Sequence, residues 1–197
     1  FDKLNQLKNA GITTVRIPVA DWMFISDDVY DIVENNTKCF SKSLLYLDIL
    51  FEYCNILNLH IILDIHALKD SQNGFDNSGK AMNYKSYLKN NILYFDHWNE
   101  KNANWLGDFN KSSKIYDSIN FKNINYSLDV IKVLFRRYIK HKSFWGFEPI
   151  NEPWEFTPLG HLKMYYKKVY DIYIDYLIKY NIHSTKVLIL HDSFRPM

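Results

Sequence analysis

The clearest chemistry in this sequence lies at Glu152, in Phe147-Glu148-Pro149-Ile150-Asn151-Glu152-Pro153, where an Asn-Glu-Pro step closes an apolar run. A carboxyl group at a strand end serves as a general acid when its surroundings raise its pKa. It serves equally as a helix N-cap or a solvated charge, and residue type alone leaves these readings open. Glu148 lies four residues earlier; on one continuous strand rising about 3.3 Å per residue, the two carboxyls would stand roughly 13 Å apart. That is too far for the joint acid–base work of carboxylates about 5–9.5 Å apart. Glu148 is therefore expected deeper in the fold, hydrogen-bonded to Arg16 or a similar donor, because a buried carboxylate needs a partner. Arg16 invites that pairing, since in Val15-Arg16-Ile17-Pro18 its charge is costly unless it meets a carboxylate or a ligand oxygen.

Asp64 and His66 share one strand face at two-residue spacing, and a metal ion could use both. His60 would lie about 20 Å from His66 on a strand and cannot join them. With no third ligand in clear spacing, no metal is expected; instead His66 hydrogen-bonds a ligand with Asp64 beneath it. The stretch Ser71-Gln72-Asn73-Gly74-Phe75-Asp76-Asn77-Ser78-Gly79 follows. It reads as a turn-rich loop able to present amide and carboxyl groups, with Phe75 as an exposed stacking platform.

Elements must hold these groups in place. Four runs of branched and aliphatic residues read as strands: Ile12–Val19, Leu59–His66, Phe144–Asn151 and Lys186–Asp192. Helical periodicity lies between them, after a candidate N-cap at Ser41, over Tyr126–Lys140 and over Leu162–Tyr180. Strand–helix alternation argues for βαβ units and a parallel sheet. Each strand ends in polar residues: Arg16 with Pro18, Asp64 with His66, Asn151 with Glu152, His191 with Asp192. Parallel α/β folds bind ligands at the carboxyl ends of their strands, so four such ends make a site. Lys80–Asn123 is long for a loop and rich in aromatic residues. It reads either as a source of stacking surfaces or as a small subdomain covering apolar surface.

Composition narrows the classes. With 13 Phe, 15 Tyr and 5 Trp in 197 residues, the chain has ample apolar surface to fold. A net charge of +2 without a basic stripe argues against a nucleic-acid partner. No apolar run approaches the roughly 18 residues of a membrane span. Cys39 and Cys54 form neither a disulfide framework nor a metal spacing. Both ends cut through the strand–helix pattern, so the chain is expected to be an excerpt of a larger domain.

At these residues the chain resembles the exo-β-1,3-glucanase branch of glycoside hydrolase family 5. Gly11-Ile12-Thr13-Thr14-Val15-Arg16-Ile17-Pro18, with Trp22 beyond it, is similar to that branch's second barrel strand. Leu63-Asp64-Ile65-His66 with Ser71–Gly79 resembles the third strand and its loop, Phe147–Pro153 the fourth, and Leu190-His191-Asp192-Ser193-Phe194 the fifth. There are departures: Ala67 follows His66 where the family usually has Gly, Lys69-Asp70 replace small residues and Pro, and Pro149 would remove a ladder donor inside a central strand.

The resemblance implies a (β/α)8 barrel, present in residues 1–197 as a partial barrel of about four β/α units, strands two to five, with an insertion at 80–123. It implies retaining hydrolysis of β-glucan, of the exo-1,3-β-glucosidase type, with Glu152 as acid/base and the nucleophile outside this chain. Asn151 would hold the sugar 2-hydroxyl, while Arg16 and His66 would support the reacting groups or the sugar. Phe75 would flank the entrance as a clamp, and Asp76 and Asn77 would reach sugar hydroxyls. A β-glucan or oligosaccharide partner, no cofactor, and a secreted or cell-surface location go with it. Two other functions fit the same residues: a silent carbohydrate-binding fragment or pseudoenzyme, and a metal-dependent barrel hydrolase using Asp64, His66 and His191.

Overall fold

A computed structural model describes residues 1–24, 43–78, 85–96, 103–110, 112–183 and 186–195. In chain order the elements are α1 (Asp2–Asn9), β1 (Thr14–Ala20), α2 (Ser43–Ile56), β2 (His60–Ala67), β3 (Lys85–Lys89), β4 (Ile92–Asp96), β5 (Phe109–Asn110), β6 (Ile115–Tyr116), α3 (Phe121–Tyr138), β7 (Phe144–Glu148), α4 (Leu159–Lys179) and β8 (Val187–Leu188). Single 3-10 turns follow at Asp21–Met23, after β1, and at Asp76–Ser78.

Four strands form one parallel sheet in the order β1-β2-β7-β8. The alternation of β2 divides its residues cleanly. Ile61, Leu63 and Ile65 are fully buried in the apolar core, while Ile62, Asp64 and His66 take the opposite face. From the helices, Leu47 and Phe51 of α2, Leu134 and Phe135 of α3, and Tyr165 and Val169 of α4 fill that core. Phe135 meets the ring of Phe147 edge-on at 4.5 Å. Asp48 of α2 accepts from Arg137 Nε (2.8 Å) and the Tyr138 hydroxyl (2.9 Å), tying α2 to α3. Arg137, itself exposed, is thus a tether. Gly146 is required where it stands, because a Cβ there would lie 2.8 Å from the Val187 carbonyl oxygen across the β7–β8 seam.

The structure trims and extends the expected elements. β7 stops at Glu148, so Pro149 lies beyond the ladder and removes no strand hydrogen bond. β8 is two residues long. α3 begins five residues before Tyr126, because Asn120 caps it by accepting from Asn123 N at 3.1 Å. The expected cap at Ser41 and the thiol of Cys39 lie outside the described residues.

The segment expected as one long loop contains two antiparallel hairpins, β3–β4 and β5–β6. Asn90 and Asn91, both at positive φ (53° and 59°), make the tight turn of the first. Within residues 103–106, Ala103, Trp105 and Leu106 are buried, and Trp105 Nε1 donates to Ser127 Oγ of α3 at 2.9 Å. Tyr84 and Trp98 lie outside the described residues. Among the described residues no helix is long and apolar enough to cross a membrane.

Candidate active site

Asp64 and Glu148 are register partners across β2 and β7, so their carboxyls rise side by side from the face turned away from the helices. Arg16 reaches both. Its Nε and Nη2 donate to Glu148 Oε2 at 3.1 and 2.8 Å, and Nη2 also lies 3.0 Å from Asp64 Oδ2. The expected partner of Glu148 is therefore in place. The same Nη2 donates to Asn151 Oδ1 at 2.8 Å. That bond fixes the amide, because a guanidinium offers only donors. Asn151 Nδ2 is turned toward His66 Nε2, 3.5 Å away.

His66 is set from below. Asp64 Oδ2 accepts from His66 Nδ1 at 2.6 Å, a pattern that assigns the ring proton to Nδ1 and leaves Nε2 as the outward atom. The β1–β2 ladder jumps from Val19–Ile65 to Ala20–Ala67, so His66 is the unpaired residue of a bulge. Bulges re-aim side chains in this way. One arginine serves two carboxylates here, and Asp64 Oδ1 has no partner among the described residues. Burial, reinforced by the Glu148 charge, pushes the Asp64 carboxyl up to about 6 against the pull of His66 and Arg16.

Beyond β7 the chain leaves the strand. Pro149 O accepts the Tyr165 hydroxyl at 3.0 Å, and Asn151 N donates to Ile65 O of β2 at 3.0 Å. Glu152 then takes φ = +43°, a left-handed conformation that costs a non-glycine residue about 1–2 kcal/mol. The spacing of about 13 Å from Glu148, which assumed one continuous strand, no longer applies. Glu152 is half-buried, and among the described residues it makes no hydrogen bond or ion pair. Among the described residues Glu148 is spent on Arg16, whereas Glu152 is not spent.

The loop after β2 departs from the expected display of polar groups. Ser71, Gln72, Asn73 and Ser78 are all buried. Ser71 Oγ bonds Ser78 Oγ and accepts from Gly74 N (2.7 Å), while Asn73 Oδ1 accepts from Phe75 N (2.9 Å). These groups close the loop on itself. Phe75 is half-buried rather than exposed, and Asn77 is exposed. Asp76 sits in the 3-10 turn. Asp21, which the sequence reading passed over, is fully buried and accepts from Lys69 N at 2.6 Å, tying the end of β1 to this loop. Burial pushes its carboxyl up to about 7. Only its place just past a strand end could have marked it.

Metal chemistry gains no geometric support. His66 Nδ1 is bound to Asp64, and His191 Nδ1 accepts from Ser193 N at 3.0 Å. Among the described residues no three His, Cys, Asp or Glu side chains converge on a point that could hold a metal ion.

No family model matches the chain. Among curated relatives, a glucan 1,3-beta-glucosidase of Lachancea kluyveri is 27% identical over 192 residues, 95% of this chain and 34% of that protein. A sporulation-specific glucan 1,3-beta-glucosidase of Saccharomyces cerevisiae is 26% identical over 193 residues, 97% of this chain and 34% of that protein. A glucan 1,3-beta-glucosidase of Candida oleophila reaches 40% identity over 82 residues, 41% of this chain and 17% of that protein. The chain spans about a third of the length of the first of these. In fold it is similar to a rutinosidase from Aspergillus niger (TM-score 0.57, 20% identity, 98% of this chain and 47% of that one). It is also similar to endo-glycoceramidase II from Rhodococcus sp. (TM-score 0.56, 10% identity, 96% of this chain and 42% of that one). The chain is thus similar in sequence, over nearly its whole length, to glucan 1,3-beta-glucosidases, and its parallel sheet and helices match a portion of a (β/α)8 barrel.

Proposed function

We propose that the protein carrying this chain hydrolyses β-linked glucan with retention, as an exo-1,3-β-glucosidase, and that Glu152 is its acid/base. The observation that carries this reading is the step from Asn151 to Glu152: an amide oriented by Arg16, followed by an unspent carboxyl on a left-handed turn at the carboxyl end of β7. Asn151 Nδ2 is the donor for a sugar hydroxyl, and His66 Nε2 faces the same space. A retaining mechanism needs a second carboxylate about 5–5.5 Å from the first. Glu148 and Asp64 are engaged by Arg16 and His66, and the resemblance implies a nucleophile outside this chain. Phe75 is assigned to the entrance as a clamp, Asp76 and Asn77 to sugar hydroxyls, and residues 80–123 to an insertion in which Trp105 is anchored on α3. The names of the curated relatives support glucan as substrate, and a polymer of the cell wall calls for a secreted or cell-surface enzyme.

The test is Glu152→Gln in the full-length protein. Its kcat/KM on unactivated β-1,3-glucan should fall about 10²–10⁴-fold. A dinitrophenyl β-glucoside, whose leaving group needs no proton, should lose far less. Near-normal kcat/KM on glucan would remove Glu152 from the mechanism.

A further inference from the structure

One buried residue holds both ends of the turn that carries Glu152. Gln72 is 1% exposed. Its Nε2 donates to Asn151 O at 2.9 Å and to His66 O at 2.8 Å, and its Oε1 accepts from Leu68 N at 3.1 Å. Its main-chain oxygen accepts from Trp154 N at 3.1 Å. The side chain therefore secures the carbonyl just before Glu152, and the backbone secures the amide two residues after it. Both amide hydrogens and the amide oxygen are used, which makes Gln72 a fully committed brace.

The brace is itself braced. Asp70 and Ser71, at φ of 62° and 61°, turn the chain back beneath the strand ends. Asn104 N and Trp105 N donate to Asp70 O and Ser71 O at 2.9 and 3.0 Å. A strained residue such as Glu152 keeps its conformation only where its flanks are over-determined. The pair of bonds from Gln72 supplies that on both sides.

We propose that Gln72 is a positioning residue for the acid: it touches no substrate, and it aims Glu152 by clamping the Asn151–Trp154 turn to the end of β2. The inference rests on the hydrolase reading above. Without the clamp the turn relaxes, and the carboxyl leaves the line of the glycosidic oxygen. Proton delivery to a poor leaving group then suffers, whereas cleavage of a bond that needs no proton does not. A purely structural role lowers the amount of working enzyme, which reduces both reactions alike.

The experiment measures kcat/KM for a β-1,3-gluco-oligosaccharide and for dinitrophenyl β-glucoside in the full-length protein, wild type and Gln72→Met. The ratio of the two constants does not depend on how much protein folds. It should fall about tenfold to a hundredfold in Gln72→Met, the penalty for displacing a reacting group by about an ångström. Gln72→Glu, the second variant, keeps the acceptor for Leu68 N but turns a carboxylate on two carbonyls. Its ratio should be low at neutral pH and recover toward the wild-type value as acid returns one donor. A wild-type ratio in both variants would overturn the inference while leaving the hydrolase reading intact. A wild-type protein that splits neither substrate would overturn the hydrolase reading and this inference with it.

Discussion

The loop after β2 and the β3–β4 hairpin occupy neighbouring stretches of the chain and are built on opposite plans. The loop buries its polar side chains: Gln72 is spent on the end of β2 and the Glu152 turn, Ser71 and Asn73 on the loop itself, and the main-chain N of Lys69 donates to Asp21 past β1. The hairpin is held by its own ladder and a cross-strand Tyr87–Tyr94 stack at 5.5 Å, and it leaves Leu88 and Leu93 74% and 53% exposed. Polar residues thus do the positioning in the loop, and apolar ones stand in the open on the hairpin. Buried hydrogen bonds carry geometry because an unmet one is costly, whereas an exposed leucine asks nothing of its neighbours.

That contrast is open to attack. The largest effect is expected at Asp21, where loop and sheet meet. Burial holds its carboxyl near 7, against an ordinary value of 3.8. The folded protein therefore keeps a proton that the unfolded chain loses near pH 4. The stability this group contributes is full below pH 4 and lost as pH climbs through 7. Relative to wild type, Asp21→Asn should gain on the order of 4 kcal/mol between pH 4 and pH 7.5 by urea unfolding. A difference that stays flat with pH would show that burial does not raise this carboxyl.

Arg16→Met is next. It strands Glu148 and Asp64, 5% and 0% exposed, without their shared cation. Breaking a buried pair costs about 3–5 kcal/mol, and the low end applies because Arg16 is itself 41% exposed. The loss should be largest above pH 7 and shrink in acid, where Asp64, raised to about 6, takes up a proton; equal loss at both would contradict the pairing. The smallest effect belongs to the hairpin. Leu93→Lys should change stability by less than about 0.5 kcal/mol and leave the ratio of glucan to aryl-glucoside kcat/KM unaltered. A change above 1 kcal/mol would mean that this face is covered in the full-length protein.

How legible the molecule is from its residues follows the same division. The parallel sheet could be read because Ile61, Leu63 and Ile65 carry a strand period that burial respects. The pairing of Arg16 with Glu148, and of Asp64 with His66, followed from the cost of burying a lone charge. Gln72 escaped notice because a glutamine among Ser, Asn and Gly looks solvated in any local window, and its partners lie 79 residues away at Asn151. The end of β7 was misplaced because Ile150 continues the apolar pattern, though the ladder had stopped at Glu148. The burial of Trp105 was hidden for the same reason, since its hydroxyl partner sits on α3.

The strap formed by Asn104 and Trp105 has a consequence for how such proteins diversify. It returns the chain to Asp70 and Ser71 after an excursion through the hairpin, so the excursion begins and ends at one fixed place. Each doubling of a flexible excursion between fixed ends costs only about 0.6 kcal/mol in closure entropy. Residues can therefore be added or removed between Ser78 and Ala103 with little strain on the clasp. New surface can grow there while the bonds of Gln72 to the Glu152 turn are left alone.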